Sequence, residues 1–314
     1  MRPGRPMAGS ELPGETPTDA ALHLDPPCPI CGAANAHVLL KVQSPDNEGR
    51  PHPFAMVECH GCGVGLTEPR PACGDLHRFY PTDYRPHKAK PVKSADRVGW
   101  FSGCPERKRL TPFGQGRLLD FGCGGGSYLF RMRKQGWKAA GVDSNRETCE
   151  RLRAEGFDAH HGTLPHPDLE AQSFDAITMW QSLEHVPDPV AVLQSAWELL
   201  APKGKLFVAV PTWDSWNFAR YQEDWFGVDM PRHLIHFTPK VLRQVIEKAG
   251  FDLLSLTRLN HPEWLRRSAK NRTAKQGSLL DSLLAGKWGA RLGAWWVHWI
   301  LNRADCLYAR AQKR

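Results

Sequence analysis

The sequence predicts an α/β fold built on a seven-stranded, mostly parallel sheet. Three observations lead there. From Gly116 onward, short apolar runs alternate with amphipathic stretches of about ten residues, the pattern of βαβ units. A glycine-rich turn, Leu118-Leu119-Asp120-Phe121-Gly122-Cys123-Gly124-Gly125-Gly126-Ser127, closes the first of those runs and opens a helix. Ahead of it, two Cys-x-x-Cys pairs mark a separate small module.

Taken in order, strands are expected at Arg117–Phe121, Lys138–Val142, Phe157–His160, Phe174–Met179 and Lys205–Val210. Helices are expected at Ser127–Gln135, Arg146–Glu155, Pro189–Leu200 and Pro239–Ala249. Phe251–Leu259 reads as a sixth strand, and Asp305–Ala311 as a seventh that returns to the sheet after a C-terminal helical insertion at 262–304. Before the sheet, residues 1–25 are rich in Pro, Gly and Glu and read as a disordered lead. Residues 26–70 hold the cysteine pairs with β-like runs at Val38–Leu40 and Phe54–Val57. Residues 71–110 form a basic connector, and 111–314 the catalytic unit.

Composition narrows the class. Hydrophobic residues make up 41% and charged residues 24%, ordinary values for a globular chain. No run approaches the ~18 apolar residues of a membrane span. Met1–Pro17 has no apolar core of a signal peptide. Five of the nine cysteines (Cys73, Cys104, Cys123, Cys149 and Cys306) lie outside the pairs, which suits a reducing compartment. The expectation is a cytoplasmic protein. The net charge of +8 is localised: residues 262–314 carry eleven Lys and Arg against three Asp and Glu, so the rest of the chain is neutral.

The glycine-rich turn lies where open α/β sheets bind ligands, at the carboxyl ends of the strands. Glycines let a ligand approach bare backbone, and the following helix aims its first N–H groups there. A dinucleotide fingerprint needs Gly-x-Gly-x-x-Gly, but its sixth position here is Ser127, and the third glycine comes early at Gly126. Asp120, just before the first glycine, suits a cationic amino-acid ligand better than a pyrophosphate. The next strand ends Gly141-Val142-Asp143, a carboxylate placed to accept ribose hydroxyls in either ligand class.

With Phe174-Asp175-Ala176-Ile177, Leu183-Glu184-His185-Val186-Pro187-Asp188-Pro189, Leu199-Leu200-Ala201-Pro202-Lys203-Gly204 and Val210-Pro211, the turn resembles the Rossmann-like class I S-adenosylmethionine-dependent methyltransferases over residues 116 to 260. The resemblance implies S-adenosylmethionine as cofactor. Asp120, Gly122, Cys123, Gly124 and Gly126 would line its methionine end, and Asp143 with Ser144 its ribose. Thr163 and Leu164 would edge the adenine, and Gln181 would close the end of the fourth strand. The family's second glycine after Gly204 is Lys205 here, and Gly162-Thr163 replaces an acidic residue common near that point.

Cys28-x-x-Cys31 and Cys59-x-x-Cys62, 27 residues apart, supply four thiolates for a structural Zn2+, a closed set with no open catalytic position. Together with Pro69-Arg70-Pro71 and Phe79-Tyr80-Pro81-x-x-Tyr84, they resemble the zinc-ribbon lead of deoxysugar and polysaccharide-pathway methyltransferases. That resemblance implies Tyr80 and Tyr84 as acceptor contacts, although packing of the connector would also account for them.

Methyl transfer to a hydroxyl or carbon acid needs a base, most often histidine. Glu184-His185 follows the fourth strand, and Met230-Pro231-Arg232-His233-Leu234-Ile235-His236 follows the fifth. His233, His185 and Glu184 are the catalytic candidates. The Glu184-His185 pair also resembles the ubiquinone-pathway O-methyltransferases. His233 resembles the base of the deoxysugar C-methyltransferases, but Arg232 stands where those enzymes have Glu. Arg232 and His236 are candidate acceptor contacts, Arg232 for a phosphate or carboxylate.

In the insertion, Leu280, Leu284, Trp288, Leu292, Trp295 and Trp299 form a helical stripe with Lys287, Arg291 and His298 beside it. Gly286, Gly289 and Gly293 favour two short helices over one. Such a stripe either packs on the protein or a dimer partner, or lies on an anionic membrane surface, which would put the protein at the inner membrane face.

The expected function is methyl transfer to a small acceptor: a sugar, sugar nucleotide, or glycan or natural-product precursor. The alternative is an rRNA or tRNA methyltransferase with a zinc-ribbon recognition module, which pI 9.1 would suit. Against nucleic acid stand the neutral catalytic unit and Trp180-Gln181-Ser182-Leu183, where an Asn/Asp-Pro-Pro-aromatic box would be needed.

Overall fold

A computed structural model describes residues 22–72, 74–80 and 116–314. Tyr84, Cys73, Cys104 and most of the expected connector lie outside them.

Among the described residues, twelve strands form two sheets. The larger has the order β11-β12-β9-β8-β5-β6-β7, with β5 Arg117–Phe121, β6 Lys138–Asp143, β7 Asp158–His161, β8 Phe174–Trp180, β9 Leu200–Pro211, β11 Phe251–Leu259 and β12 Cys306–Lys313. From β9 to β7 every neighbouring pair is parallel. The central strands are apolar along most of their length because helices cover both faces. Only β12 is reversed, antiparallel to both β9 and β11. The seven strands expected from the sequence all form, with ends shifted by one or two residues except at β9, which begins at Leu200.

The crossover helices begin at local signals. Helix α1 (Ser127–Lys134) starts from Gly126. Helix α2 (Arg146–Ala154) is capped by Asn145, whose side chain accepts from the Thr148 N–H. Asp188 caps α3 (Pro189–Leu199), with Pro189 fixing its first turn. After β9 comes the short α4 (Trp216–Tyr221), and Thr238 later caps α5 (Pro239–Lys248).

The smaller sheet is antiparallel: β1 Leu22–His23, β2 Asn35–Pro45, β3 Pro51–Cys59, β4 Gly65–Glu68 and β10 Ile235–His236, in that order. Two expectations need correction here. The lead does not run to residue 25, because β1 pairs with β2 and Leu24 is buried. Nor is 26–70 a self-contained module: its last strand pairs with β10, which comes from the catalytic unit. One apolar core runs through both, from Leu24 and Ile30 to Leu234 and Ile246.

The insertion between β11 and β12 is three helices, α6 (Pro262–Gln276), α7 (Leu279–Ala285) and α8 (Lys287–Trp299). The break at Gly286 gives the two short helices expected over 279–301. Packing on the protein, one of the two readings of its stripe, is excluded within the described residues for all but Leu284. Leu280, Trp288, Leu292, Trp295 and Trp299 face outward. Small side chains, Ala290, Ala294 and Val297, face inward instead.

Candidate active site

The donor turn follows the strand end. Gly122 N–H donates to the Val142 carbonyl at 2.8 Å, tying the end of β5 to β6. Gly122 has φ +73°, and a Cβ there would meet Ser182 Cβ at 2.5 Å. Gly126, at φ +76°, lies so close to α2 that a Cβ would meet Leu152 at 2.2 Å. Only glycine serves at these two positions. Asp120 is buried at the carboxyl end of the sheet and accepts from Thr178 Oγ1 at 2.7 Å. The Asp143 carboxylate accepts from the backbone N–H groups of Gly124 (2.7 Å) and Asn145 (2.9 Å), which locks the second carboxylate against the turn. A carboxylate has about four acceptor positions, so ribose hydroxyls still find lone pairs. Cys123 is buried, its thiol pushed well up by burial and then by Asp143 and Asp120. Ser144 and Thr163 are exposed beside the turn, and Leu164 is buried. Gln181 adopts φ +54°, and its side chain donates to Cys306 Sγ at 3.4 Å. These residues form a cradle of bare backbone with a carboxylate at either side, which fits a nucleoside carrying a cationic amino-acid tail.

The catalytic candidates meet beside this turn. Ser182, the residue that crowds Gly122, donates to the Phe121 carbonyl at 2.9 Å. It leads directly into the 3-10 turn Leu183–His185. His185 and His233 stack edge to face with ring centres 4.7 Å apart. His233 Nδ1 donates to the Gly227 carbonyl at 2.9 Å, so its Nε2 carries the lone pair. Two carboxylates flank that nitrogen, Asp229 at 3.8 Å and Glu184 at 3.9 Å. Burial holds the His233 imidazole below its usual pKa, against the pull of Asp229. Burial also lowers His185 to about 3, with His233 adding to the effect. The Glu184 carboxyl is pushed up to about 8 by burial. Burial raises Asp229 too, but His233 and the Arg232 guanidinium outweigh it and keep this carboxyl below the ordinary range. The cluster therefore holds a neutral imidazole beside one ionised and one protonated carboxyl group at neutral pH. Glu184, His185 and His233 also bring one donor atom each within 4.8 Å of one another, a spacing that a metal ion could bridge.

Two sequence candidates take other roles. Arg232 forms an ion pair with Asp229 through Nε (3.1 Å) and a terminal nitrogen, and donates to the Phe79 carbonyl at 3.0 Å. These bonds clamp the loop. His236 is buried in the seam between the sheets, where its Nε2 lies 3.0 Å from Thr67 Oγ1. Thr67 Oγ1 gives its proton to the His233 carbonyl at 2.6 Å, so it accepts from His236. Burial holds His236 down to about 3, so it sits there as a neutral imidazole. Tyr80 does reach the site, its hydroxyl 3.2 Å from His185 Nδ1. That same nitrogen donates to the Arg232 carbonyl at 2.8 Å.

Asp229 and Thr67 are the residues that sequence reading missed. Asp229 lies four residues before His233, a signal that a search for Glu directly before the histidine passes over. Thr67 had no signal, because only the pairing of β4 with β10 brings it there.

The four cysteines of the smaller sheet converge, with all sulfurs within 4.8 Å of one another. Cys28 and Cys62 sulfurs lie 3.8 Å apart, and Cys31 and Cys59 3.5 Å. A tetrahedron of metal–sulfur bonds of ~2.3 Å has edges of ~3.8 Å, so the donor set has the dimensions of a four-thiolate metal site. The two knuckles repeat each other: Gly32 N–H donates to the Cys28 carbonyl and Gly63 N–H to the Cys59 carbonyl, both at 2.9 Å.

Comparison with known proteins shows the family. Residues 78–256, more than half of the chain, match the family described as "Methyltransferase domain". The chain is 30% identical over 173 residues to a ubiquinone biosynthesis O-methyltransferase of Xanthomonas axonopodis pv. citri, covering 51% of this chain and 72% of that protein. It is 30% identical over 142 residues to the protein of the same name in Paracidovorax citrulli, covering 42% and 56%. Among solved structures, an S-adenosylmethionine-dependent methyltransferase from Thermotoga maritima superposes with TM-score 0.46 and 19% identity, covering 71% of this chain and 96% of that one. A geranyl diphosphate methyltransferase gives TM-score 0.47 and 16% identity, covering 71% and 85%.

Proposed function

This chain belongs to the methyltransferase-domain family, and from that premise we propose that it moves the methyl group of S-adenosylmethionine to a hydroxyl of a small acceptor. The acceptor class is a sugar, sugar nucleotide, or glycan or natural-product precursor. The name of the relatives, O-methyltransferase, supports oxygen as the acceptor atom. The observation that carries the reading is the lone pair of His233 Nε2, flanked by Asp229 and Glu184 in a turn clasped to the donor loop.

When bound, S-adenosylmethionine would supply an electrophilic methyl group to the acceptor oxygen, its sulfur leaving with the bond's electron pair as a neutral thioether. The hydroxyl proton passes to His233 Nε2 as the new carbon–oxygen bond forms. Asp229 stabilises the resulting imidazolium, and Arg232 holds Asp229 in place. Glu184, protonated at neutral pH, adds no second negative charge beside the attacking oxygen. Tyr80 marks the acceptor side through its contact with His185. Cys28, Cys31, Cys59 and Cys62 would hold a structural Zn2+, which gives the smaller sheet its rigidity and takes no part in the chemistry.

The donor half is tested by calorimetry. Asp143→Ala removes the acceptor for the ribose hydroxyls and frees the Gly124 N–H, so S-adenosylhomocysteine binding should be lost; unchanged affinity would sink the reading. The acceptor half is tested by mass spectrometry. Sugar nucleotides and polyhydroxylated phenols are screened for the gain of one methyl group, which His233→Ala should abolish.

A further inference from the structure

We propose that Asp158, His160, His166 and Asp168 form a binding site for a divalent transition-metal ion of the zinc class, which joins the edge strand β7 to the loop after it. The four residues make two mirrored pairs in the sequence, Asp158-x-His160 and His166-x-Asp168. Alternate side chains of a strand share a face, so Asp158 and His160 project together from β7. The loop then returns, and the His166 ring meets His160 edge to face with centres 5.1 Å apart.

His160, His166 and Asp168 each bring one donor atom within 4.8 Å of the others. His160 Nε2 lies 2.8 Å from Asp158 Oδ1. That nitrogen is buried, yet it has no hydrogen bond of acceptable geometry. The tautomer of His166 is set by its partners. Nε2 donates to the His161 carbonyl and Nδ1 accepts from the Asp168 N–H, both at 3.3 Å. The lone pair therefore belongs to Nδ1, which lies 4.0 Å from Asp168 Oδ2. A ligating histidine usually anchors its other nitrogen in this way, on a backbone carbonyl. An ion would displace only the long bond from the Asp168 N–H.

Charge and donor type choose the ligand. The imidazoles are largely enclosed, with 14% and 10% of their side chains exposed, and the carboxylates stand outside them at 57% and 73%. Among the described residues, neither Asp158 nor Asp168 pairs with a lysine or arginine. Their negative charge is answered by a dication. Two imidazoles and two carboxylates suit a four-coordinate ion of the zinc class, whereas magnesium and calcium prefer oxygen alone. Donors around such a tetrahedral ion lie ~3.4 Å apart, a spacing that rotation of the exposed Asp168 carboxylate closes.

Gly162, Thr163 and Leu164 lie between the two pairs. Gly162 N–H donates to the Asp143 carbonyl at 2.9 Å, and a Cβ on Gly162 would meet His166 Cδ2 at 3.3 Å. An ion held by both pairs would thus staple the segment that borders Asp143. Strands β5 and β6 separate β7 from β8, whose loop carries Glu184 and His185. The proposal is independent of the donor and the acceptor.

The test uses the untagged full chain, given one equivalent of Zn2+ for the four cysteines and then titrated with Co2+. Wild type should take up one further ion, with visible d–d absorption and no thiolate-to-cobalt charge-transfer band. His166→Gln and, separately, Asp158→Asn/Asp168→Asn should weaken that uptake at least about tenfold. Both variants should bind S-adenosylhomocysteine like wild type when Co2+ is absent. Bound Co2+ should slow amide exchange across residues 162–168 of wild type, followed by mass spectrometry, and not of His166→Gln. Wild-type protein that takes up no further ion overturns the proposal. So does an ion held equally by wild type and His166→Gln; its loss in His233→Ala would place it at Glu184, His185 and His233 instead. Uptake that leaves amide exchange unchanged overturns the joining of strand to loop.

Discussion

At the residue scale, the site depends on which protonation state burial selects. His233 has a lowered pKa and an open Nε2. Its activity as a base should be lost only as pH falls through that lowered value, so kcat/KM should stay flat through neutrality and fall below the ordinary histidine range. His233→Ala should reduce kcat by about 10²–10⁴, the usual worth of a positioned base. Asp229→Asn should move the acid limb further down, because it removes the carboxylate that favours imidazolium. An acid limb that does not move in Asp229→Asn would separate Asp229 from the base. Glu184 has the opposite linkage. Its folded pKa of about 8 lies above the ordinary carboxyl range, so its contribution to stability is present at low pH and lost as pH rises between them. Glu184→Gln, which cannot ionise, should gain thermal stability relative to wild type across that window, measured by melting curves from pH 4.5 to 8. These assignments were only partly legible. His233, His185 and Glu184 were found because loops after β8 and β9 face the ligand edge. For Arg232 and His236 the sequence shows a basic or aromatic side chain but not the Asp229 and Thr67 atoms each one meets.

At the element scale, the smaller sheet acts on the catalytic loop through β10. Thr67 N–H donates to the Leu234 carbonyl at 3.1 Å, Thr67 Oγ1 to the His233 carbonyl, and Leu234 N–H to the Glu184 carbonyl at 2.8 Å. One strand pairing thus ties the four-cysteine module to both catalytic segments. Thr67→Val keeps the shape and removes the hydroxyl, leaving buried partners unmatched, so stability should fall by about 1–3 kcal/mol. Its kcat should fall while S-adenosylhomocysteine affinity holds; an unchanged kcat would make the seam structural only. This coupling was invisible in the sequence. β10 is two residues long, and its pairing bridges segments more than 160 residues apart. The parallel strands and their helices, by contrast, were legible nearly to the residue, since their signals are local: apolar runs, Asn145, Asp188 and Thr238 caps, and prolines at first turns.

At the scale of the whole molecule, the insertion is a charged attachment to a neutral catalytic body. Its anchorage combines an apolar cluster, Leu265, Ala269, Leu284 and Ala294 with Phe218, Tyr221 and Trp225, and a few ion pairs whose carboxylates are buried; breaking one leaves an unmatched charge. Asp224→Ala should therefore leave Arg272 and Lys275 without their partner and loosen α6. Limited proteolysis should then cut within 262–299 earlier than in wild type, with the donor site still able to bind; an unchanged digestion pattern would show that apolar packing alone holds the helices. The net charge of +8 also takes on a different meaning once placed. It is a property of residues 262–314, the insertion and the last strand, which weakens it as an argument for nucleic acid along the catalytic cleft.

The sequence alone determined the sheet and the donor turn, because glycines that must take positive φ and strands that must be apolar on both faces leave signals within a few neighbouring residues. Those signals lie within short windows, so position along the chain was enough to read them. What the histidines do, where the cysteine module attaches and which way the tryptophan stripe points were decided only by the tertiary structure. Each depends on a partner far away in the chain: Asp229 and Glu184 around His233, Thr67 beneath His236, and Asp224 and Asp281 on the inner side of the insertion. A helical stripe shows only that one face differs from the other. Ion pairs across the seam, Asp224 with Arg272 and Lys275 and Arg220 with Asp281, together with small buried side chains fixed the inner side of the insertion, and that left the large apolar side chains outside.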